Sequence, residues 1–162
     1  MPEVELLDPR RHARAGFACG EPTLDKYLKQ QAAQHHRDGI ATTHVLVDAA
    51  QPDRILGYYT LSAAQGLLTD LQASDRRRLP RYPVPAVRMG RLAVATDERG
   101  KGYGDFLLAH AVARCVGLRA QLGVRLLLVD ALHDKAAAFY RAYGFRETAD
   151  QARTLYLPLG SP

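Results

Sequence analysis

The sequence predicts an α/β fold: a mixed, mostly antiparallel central sheet flanked by helices, with a bulged and splayed central strand. Three observations predict it. A strand, a helix and two further strands come first, and a strand–helix–strand–helix–strand–strand succession follows after a loop. A glycine-rich turn, Arg99-Gly100-Lys101-Gly102-Tyr103-Gly104, links an apolar run to a long amphipathic stretch. Within that run the apolar positions change phase, which a strand does only at an irregularity.

Residues 4–7 form a short apolar first strand. Pro22 suits a helix start, because its missing N–H is not needed there. Leu24, Leu28, Gln31, Ala32 and His35 then recur at helical spacing, Lys26, Lys29 and Arg37 fall on other faces, and Gly39 is a stop. Residues 42–47 and 55–61 read as strands. Gln51, Pro52, Asp53 and Arg54 make the turn that pairs them as a hairpin. Residues 67–82 are polar and arginine-rich, and Pro80, Pro83 and Pro85 exclude a central strand or regular helix around them. This stretch predicts a surface loop.

Residues 87–94 form the central strand. Val87 and Met89 are apolar at odd positions, Leu92 and Val94 at even ones, which places a β-bulge near Gly90 and Arg91. The next helix, 105–122, buries Leu107, Leu108, Ala111, Val112, Cys115, Leu118 and Leu122, and Gly123 ends it. Residues 124–131 are apolar enough for burial on both faces. Residues 134–143 form a short helix ended by Gly144; Phe145 opens a strand, and 153–159 form the last one. No repeat, low-complexity stretch or linker interrupts the chain, so residues 1–162 read as one domain.

A chain of 162 residues can bury a real core, and 47% hydrophobic with 24% charged residues is ordinary for a globular protein. No run approaches the ~18 apolar residues of a membrane span. The start, Met-Pro-Glu-Val-Glu, lacks the basic-then-apolar shape of a secretory signal. Two distant cysteines, Cys19 and Cys115, are too few for a disulfide framework or a cysteine zinc site. No metal is expected, and a reducing, cytoplasmic setting fits. The net charge is +5. Basic residues gather at Arg10, Arg11 and Arg14, at His35, His36 and Arg37, and at Arg76, Arg77, Arg78 and Arg81, as suits a polyanionic partner.

The glycine-rich turn carries the chemistry. A strand, a side-chain-free turn and a helix N-terminus together present backbone N–H groups to a pyrophosphate. The dinucleotide pattern G-x-G-x-x-G fails, because its third glycine would fall on Asp105 or Leu107. The nucleotide-triphosphate loop fails too, because Gly100-Lys101 precedes Gly102, which has no hydroxyl for magnesium. What remains is R-x-x-G-x-G: Arg99, Gly102 and Gly104. This resembles the coenzyme A pyrophosphate loop of the GNAT superfamily of N-acetyltransferases, whose element order matches the whole chain. The resemblance implies that acetyl-CoA is held by Leu92, Ala93, Val94, Arg99, Gly100, Lys101, Gly102, Tyr103, Gly104, Asp134 and Tyr140, its pantetheine arm lying along the splayed strand.

Acetyl transfer from a thioester to an amine needs a held cofactor, a stabilised carbonyl oxygen, a neutral amine and a proton for the leaving thiolate. Backbone groups at 92–94 can serve the carbonyl. Tyr140 stands in Ala136-Ala137-Ala138-Phe139-Tyr140-Arg141-Ala142-Tyr143-Gly144-Phe145, which resembles the closing motif of the family, where a tyrosine approaches the thioester sulfur. Tyr143 competes for the role. A phenol titrates near ~10 and a thiol near ~8.5, so full proton transfer is uphill by roughly 2 kcal/mol. Tyr140 serves better as a hydrogen-bond donor that follows developing charge. No isolated base stands out, although Asp97, Glu98 or His133 can act through a water. An α-amino group titrates near ~8 and needs no dedicated base, whereas a lysine near ~10.4 does. An α-amine substrate is therefore favoured.

The N-terminal half narrows the resemblance. Phe17-Ala18-Cys19-Gly20, Leu24-Asp25-Lys26-Tyr27-Leu28, Gly57-Tyr58-Tyr59-Thr60-Leu61-Ser62, Leu79-Pro80-Arg81-Tyr82-Pro83, Gly90-Arg91-Leu92-Ala93-Val94 and Val129-Asp130-Ala131 together resemble the toxin branch of the GNAT superfamily. That resemblance implies a type II toxin that acetylates the α-amino group of aminoacyl-tRNA and stops translation. It also implies a ribbon-helix-helix antitoxin and a homodimer. Lys29, Arg37, Arg76, Arg77, Arg78 and Arg81 would then meet RNA phosphates. Two alternatives stay open at this point: a GNAT enzyme of another amine, and a non-catalytic cofactor- or RNA-binding module.

Overall fold

The structure is a computed structural model, and it describes residues 1–66, 71–77, 79, 83–149, 151 and 153–160. Seven strands form a sheet in the order β1-β2-β3-β4-β5-β7-β6. They are β1 Pro2–Leu6, β2 Thr42–Asp48, β3 Gly57–Gly66, β4 Val84–Val94, β5 Leu126–Asp130, β6 Arg146–Glu147 and β7 Thr154–Pro158. The helices are α1 Pro22–Gln30, α2 Ala32–Arg37, α3 Ala73–Arg76, α4 Tyr103–Leu118 and α5 Asp134–Tyr143. The sheet is mixed: β4 and β5 run parallel, while the β1–β2, β2–β3, β5–β7 and β6–β7 pairs are antiparallel. The chain divides into two compact units, Met1–Ser62 with Arg91–Ala111, and Ala63–Gly90 with Val112–Pro162.

In the first unit, Pro22 opens α1 at its first turn, as the sequence suggests. The predicted single helix is broken, however. Gln31 leaves helical geometry at φ −123°, and α2 restarts at Ala32. Phe17, Tyr27, Leu28, Val45, Val47, Tyr58 and Ala93 share one buried cluster that α1 covers. The predicted hairpin forms, with Thr42 opposite Leu61 and Leu46 opposite Gly57. Gly57 is a close approach: a Cβ there would lie 2.7 Å from the Ala93 carbonyl oxygen and 2.9 Å from Leu107 Cδ1. Only a residue without a side chain lets β3, β4 and α4 meet at that point.

In the second unit, β5 is buried from Leu126 to Val129, because strands on both sides and side chains on both faces cover it. A cluster of Leu71, Val84, Ala86, Leu126, Leu128 and Tyr156 forms its core. The predicted loop is not wholly irregular. α3 occupies Ala73–Arg76, anchored because the Tyr156 hydroxyl donates to Asp75 Oδ2 at 2.5 Å and accepts from Gln72 N–H at 3.0 Å. Burial, then the Asp75 hydrogen bond, pushes the Tyr156 phenol up to about 12. The remainder of that predicted loop at 67–70, 78 and 80–82 lies outside the described residues.

Three strand and helix bounds differ from expectation. β3 continues to Gly66, and β4 begins at Val84, so Pro85 lies within a strand. Pro85 is second in β4 and exposed; its carbonyl accepts from Arg125 N–H at 2.9 Å, and no donor is asked of it. α4 stops at Leu118, so Leu122 lies beyond the buried stripe and is 59% exposed. The apolar phase of β4 also behaves differently. Beyond Gly90 the buried residue is Ala93, packed beneath Gly57, while Leu92 and Val94 are half-buried. The parallel ladder to β5 runs over Ala86–Met89.

Candidate active site

The glycine-rich turn follows β4 through a one-turn 3₁₀ helix, Thr96–Glu98, and leads into α4. Gly100 and Gly102 adopt left-handed backbone at φ +82° and +81°, and a methyl at either would find open space within 4 Å. Glycine is kept here for its conformation and not for clearance. Phe106 N–H bonds the Gly102 carbonyl at 3.0 Å, the first bond of α4. The N–H groups of Tyr103, Gly104 and Asp105 therefore precede any intrahelical acceptor, and they sit at the positive end of the helix dipole. Such an arrangement suits a phosphate anion.

The turn is braced from beneath. Glu98 is 7% exposed. Its Oε1 accepts from Arg54 Nη1 and its Oε2 from Lys101 Nζ, both at 2.5 Å. Arg54 also reaches Asp97 Oδ2 at 2.8 Å. Lys101 first, then Arg54, holds the Glu98 carboxyl below the usual carboxylate range. Glu98 is thus a committed anion and a poor base, while Asp97 is engaged in its ion pair with Arg54. Arg99 donates from Nη2 to the Cys19 carbonyl at 2.6 Å, which ties the turn to the segment before α1. The sequence points to Arg99 and Lys101, whereas Arg54 stands in an unremarkable hairpin turn and only the fold brings it to Glu98.

In the other unit, α5 spans the predicted residues. His133 Nδ1 accepts from Ala136 N–H at 3.1 Å and caps the helix, so this histidine has a structural duty. Gly144 ends α5 in left-handed backbone at φ +119°. Tyr140 is 4% exposed, with Phe139 edge-on at 5.4 Å and Phe145 at 5.6 Å. Among the described residues its hydroxyl has no hydrogen-bond partner. Burial, and secondarily the Asp130 carboxylate, pushes its phenol well above the usual tyrosine range. Tyr140 is a neutral phenol with a donor to give. Tyr143 is 40% exposed and packs against Phe145. Asp134 is exposed, 3.5 Å from Arg153 Nε. Asp130 accepts from Arg88 Nη1 at 2.5 Å, a pair that spans neighbouring strands and shows no local sequence signal.

The basic residues fall in both units. Lys29 and Arg37 are exposed on α1 and α2, and Arg76 and Arg77 are exposed at α3. Among the described residues none of the four has an ion-pair partner. Arg78 and Arg81 lie outside the described residues. Arg11 is engaged, donating to Glu5 Oε1 at 2.5 Å.

A family model described as an acetyltransferase (GNAT) domain matches residues 41–147. A tRNA-acetylating toxin of Mycobacterium tuberculosis is 38% identical over 141 residues, covering 85% of this chain and 82% of that one. A tyrosine-to-phenylalanine mutant of KacT superposes with a TM-score of 0.91 at 31% identity, over 98% of this chain and 95% of that one. AtaT complexed with acetyl-methionyl-tRNAfMet superposes with a TM-score of 0.90 at 28% identity, over 98% and 95%. Further similar structures show AtaT with the C-terminus of the antitoxin AtaR, and AtaTR bound with acetyl-CoA. On the matched model and the shared sequence, the chain belongs to the GNAT family of acetyltransferases.

Proposed function

We propose that this chain is a toxin that acetylates the α-amino group of aminoacyl-tRNA, with acetyl-CoA as donor, and thereby blocks translation. The observation that carries the reading is the open turn at Gly100 and Gly102, set on the N-terminus of α4 in a chain 38% identical to a tRNA-acetylating toxin. The backbone there fits a diphosphate, with Lys101 beside it and Tyr103 and Gly104 supplying N–H groups. Bound there, acetyl-CoA supplies an activated acyl thioester. Backbone groups of Leu92, Ala93 and Val94 are proposed to align the pantetheine arm and the acyl carbonyl, since the β5 ladder takes up only Ala86–Met89 of β4. Asp134, at the start of α5, is proposed as a further cofactor contact.

Tyr140 is proposed as the hydrogen-bond donor to the departing sulfur. A neutral hydroxyl on a buried ring, without a described partner, supports the role. That the homologous KacT was solved as a tyrosine-to-phenylalanine mutant supports attention to a tyrosine. With Asp97 and Glu98 in ion pairs and His133 capping α5, an amine already neutral near pH 7 is the acceptor these residues can serve. Lys29, Arg37, Arg76, Arg77, Arg78 and Arg81 are proposed to meet phosphates of the tRNA. Both units of residues 1–162 serve as one acetyltransferase domain in this reading.

The family of the partners follows the same reading. A ribbon-helix-helix antitoxin, a homodimer and a cytoplasmic site are proposed; the AtaT–AtaR complex supports an antitoxin partner. Among the described residues no helix is long and apolar enough to cross a membrane, and both cysteines are free and buried. The deciding experiment incubates the chain with acetyl-CoA and charged tRNA and assays N-acetyl-aminoacyl products. Product on at least one isoacceptor is expected. Its absence on every isoacceptor, with acetylation of a polyamine or a protein N-terminus instead, removes the toxin reading.

A further inference from the structure

Arg91 lies in β4 with its guanidinium carbon 3.5 Å from the centroid of the Tyr27 ring. Tyr27 is fixed in place. It is 2% exposed, its hydroxyl meets His35 Nδ1 at 3.0 Å, and the His35 ring packs edge-on at 5.3 Å. The stack therefore sets the plane of the guanidinium. A stacked guanidinium keeps its N–H donors around its own edge, free to grip a flat or tetrahedral anion. Among the described residues Arg91 has neither an ion pair nor a hydrogen bond. Its charge is nonetheless felt within the unit: burial raises the Tyr27 and Tyr58 phenols, and Arg91 opposes that rise in both. A half-buried cation with no anion beside it among the described residues is a costly arrangement that a ligand's anion would relieve.

Position along the strand selects the ligand. At about 3.3 Å per residue, Arg91 lies roughly 10 Å before Val94. The glycine-rich turn comes later still, so a diphosphate held there is at the other end of the cofactor arm. An anion at Arg91 arrives with the amine. α1 also carries Lys26 and Lys29 on its exposed side, away from the buried Tyr27, both without an ion pair among the described residues. A planar cation on an aromatic support suits a phosphodiester backbone.

We propose that Arg91, braced by Tyr27, binds a phosphodiester near the aminoacyl end of tRNA and so aligns the α-amine with the Leu92–Val94 stretch. The identity of the anion rests on the aminoacyl-tRNA reading above. Arg91 acts as a positioning residue and not on the reacting atoms.

The test measures binding of deacylated tRNA to the full chain, for the unaltered protein, Arg91→Met and Arg91→Lys, between about 50 and about 200 mM salt. Arg91→Met is expected to lower tRNA affinity about tenfold and to reduce the slope of log K against log salt by about one. Arg91→Lys keeps the slope and loses part of the affinity, because an ammonium has no planar fork to stack. Acetyl-CoA affinity by calorimetry is expected to hold in both. An unchanged slope and affinity in Arg91→Met overturns the proposal, as does an equal loss for acetyl-CoA. Should Arg91→Met fail to fold, an arginine-selective reagent on the unaltered chain decides: deacylated tRNA protects Arg91 and acetyl-CoA does not. Protection by acetyl-CoA, or none by tRNA, sinks it. Deacylated tRNA lacks the aminoacyl α-amino group, so a missing N-acetyl product counts against the acetylation reading alone, and an unchanged salt slope against Arg91 alone.

Discussion

Arg54 and Glu98, 44 residues apart in sequence, meet at 2.5 Å beneath the glycine-rich turn. Lys101 takes the second oxygen of the same carboxylate. The turn is thereby pinned at its own third residue and at the residue just before it. A phosphate cradle works only if its N–H groups are already aimed, because ordering them on binding would consume affinity.

Replacing Glu98 with Gln leaves one acceptor and sets an amide N–H₂ against a cation. Acetyl-CoA affinity is expected to fall several-fold by calorimetry. The pH dependence follows from the carboxyl being held below its ordinary value. Such a group contributes stability above the ordinary carboxylate value of about 4.5 and loses it as pH falls through the lower folded value. Melting temperatures between about pH 3 and about pH 7 should therefore drop less steeply on the acid side for Glu98→Gln than for the unaltered chain. Parallel curves would mean the ion triad does not brace the turn.

Much of the site was legible because it is local. Pro22 starts α1, Gly144 ends α5, and the helix of residues 134–143 appears with those bounds, since each signal acts within one turn of chain. What escaped depends on distant partners. α3 sits in a stretch whose prolines argue against order, yet Asp75 is secured by Tyr156, 81 residues away. The Arg54 bracing and the Arg91–Tyr27 stack are likewise invisible to spacing rules. Residue type alone misassigns Leu122, which continues the helical period after α4 has already ended.

Gly57→Ala tests the close approach of β3, β4 and α4. The added methyl would lie 2.7 Å from the Ala93 carbonyl oxygen, and a carbonyl cannot swing aside as a side-chain end can. A loss of about 1–3 kcal/mol is expected, with a melting temperature lower by about 2–4 °C for each kcal/mol. Because Ala93 belongs to the proposed cofactor strand, acetyl-CoA affinity should fall with it. A variant as stable as the parent would show that β4 can shift freely there.

Tyr140→Phe isolates the phenol. About a hundredfold loss of kcat is expected on charged tRNA, larger than any change in acetyl-CoA Kd. Burial raises the phenol above its ordinary value of about 10, so it stays protonated across the working range. The rate should therefore rise with pH as the α-amine near ~8 loses its proton, and show no falling limb below about pH 9.5. A falling limb near pH 9 that Tyr140→Phe abolishes would mean the hydroxyl titrates there, against the upward direction its burial gives. Unchanged turnover would hand the role to another group.

Gly102→Ala and Gly117→Ala make the same chemical change with opposite expected signs. Neither methyl would touch a neighbour within 4 Å. At Gly102, φ is +81°, and an alanine there strains against its own backbone by about 1–2 kcal/mol. Relief of that strain turns the peptide and withdraws the N–H groups that open α4. Acetyl-CoA affinity should weaken about tenfold, the equivalent of 1.4 kcal/mol. Gly117 lies within α4, where alanine is favoured over glycine by about 0.5–1 kcal/mol. That variant should melt slightly higher and bind acetyl-CoA as before. If Gly102→Ala binds as tightly as Gly117→Ala, the left-handed turn is not what holds the diphosphate.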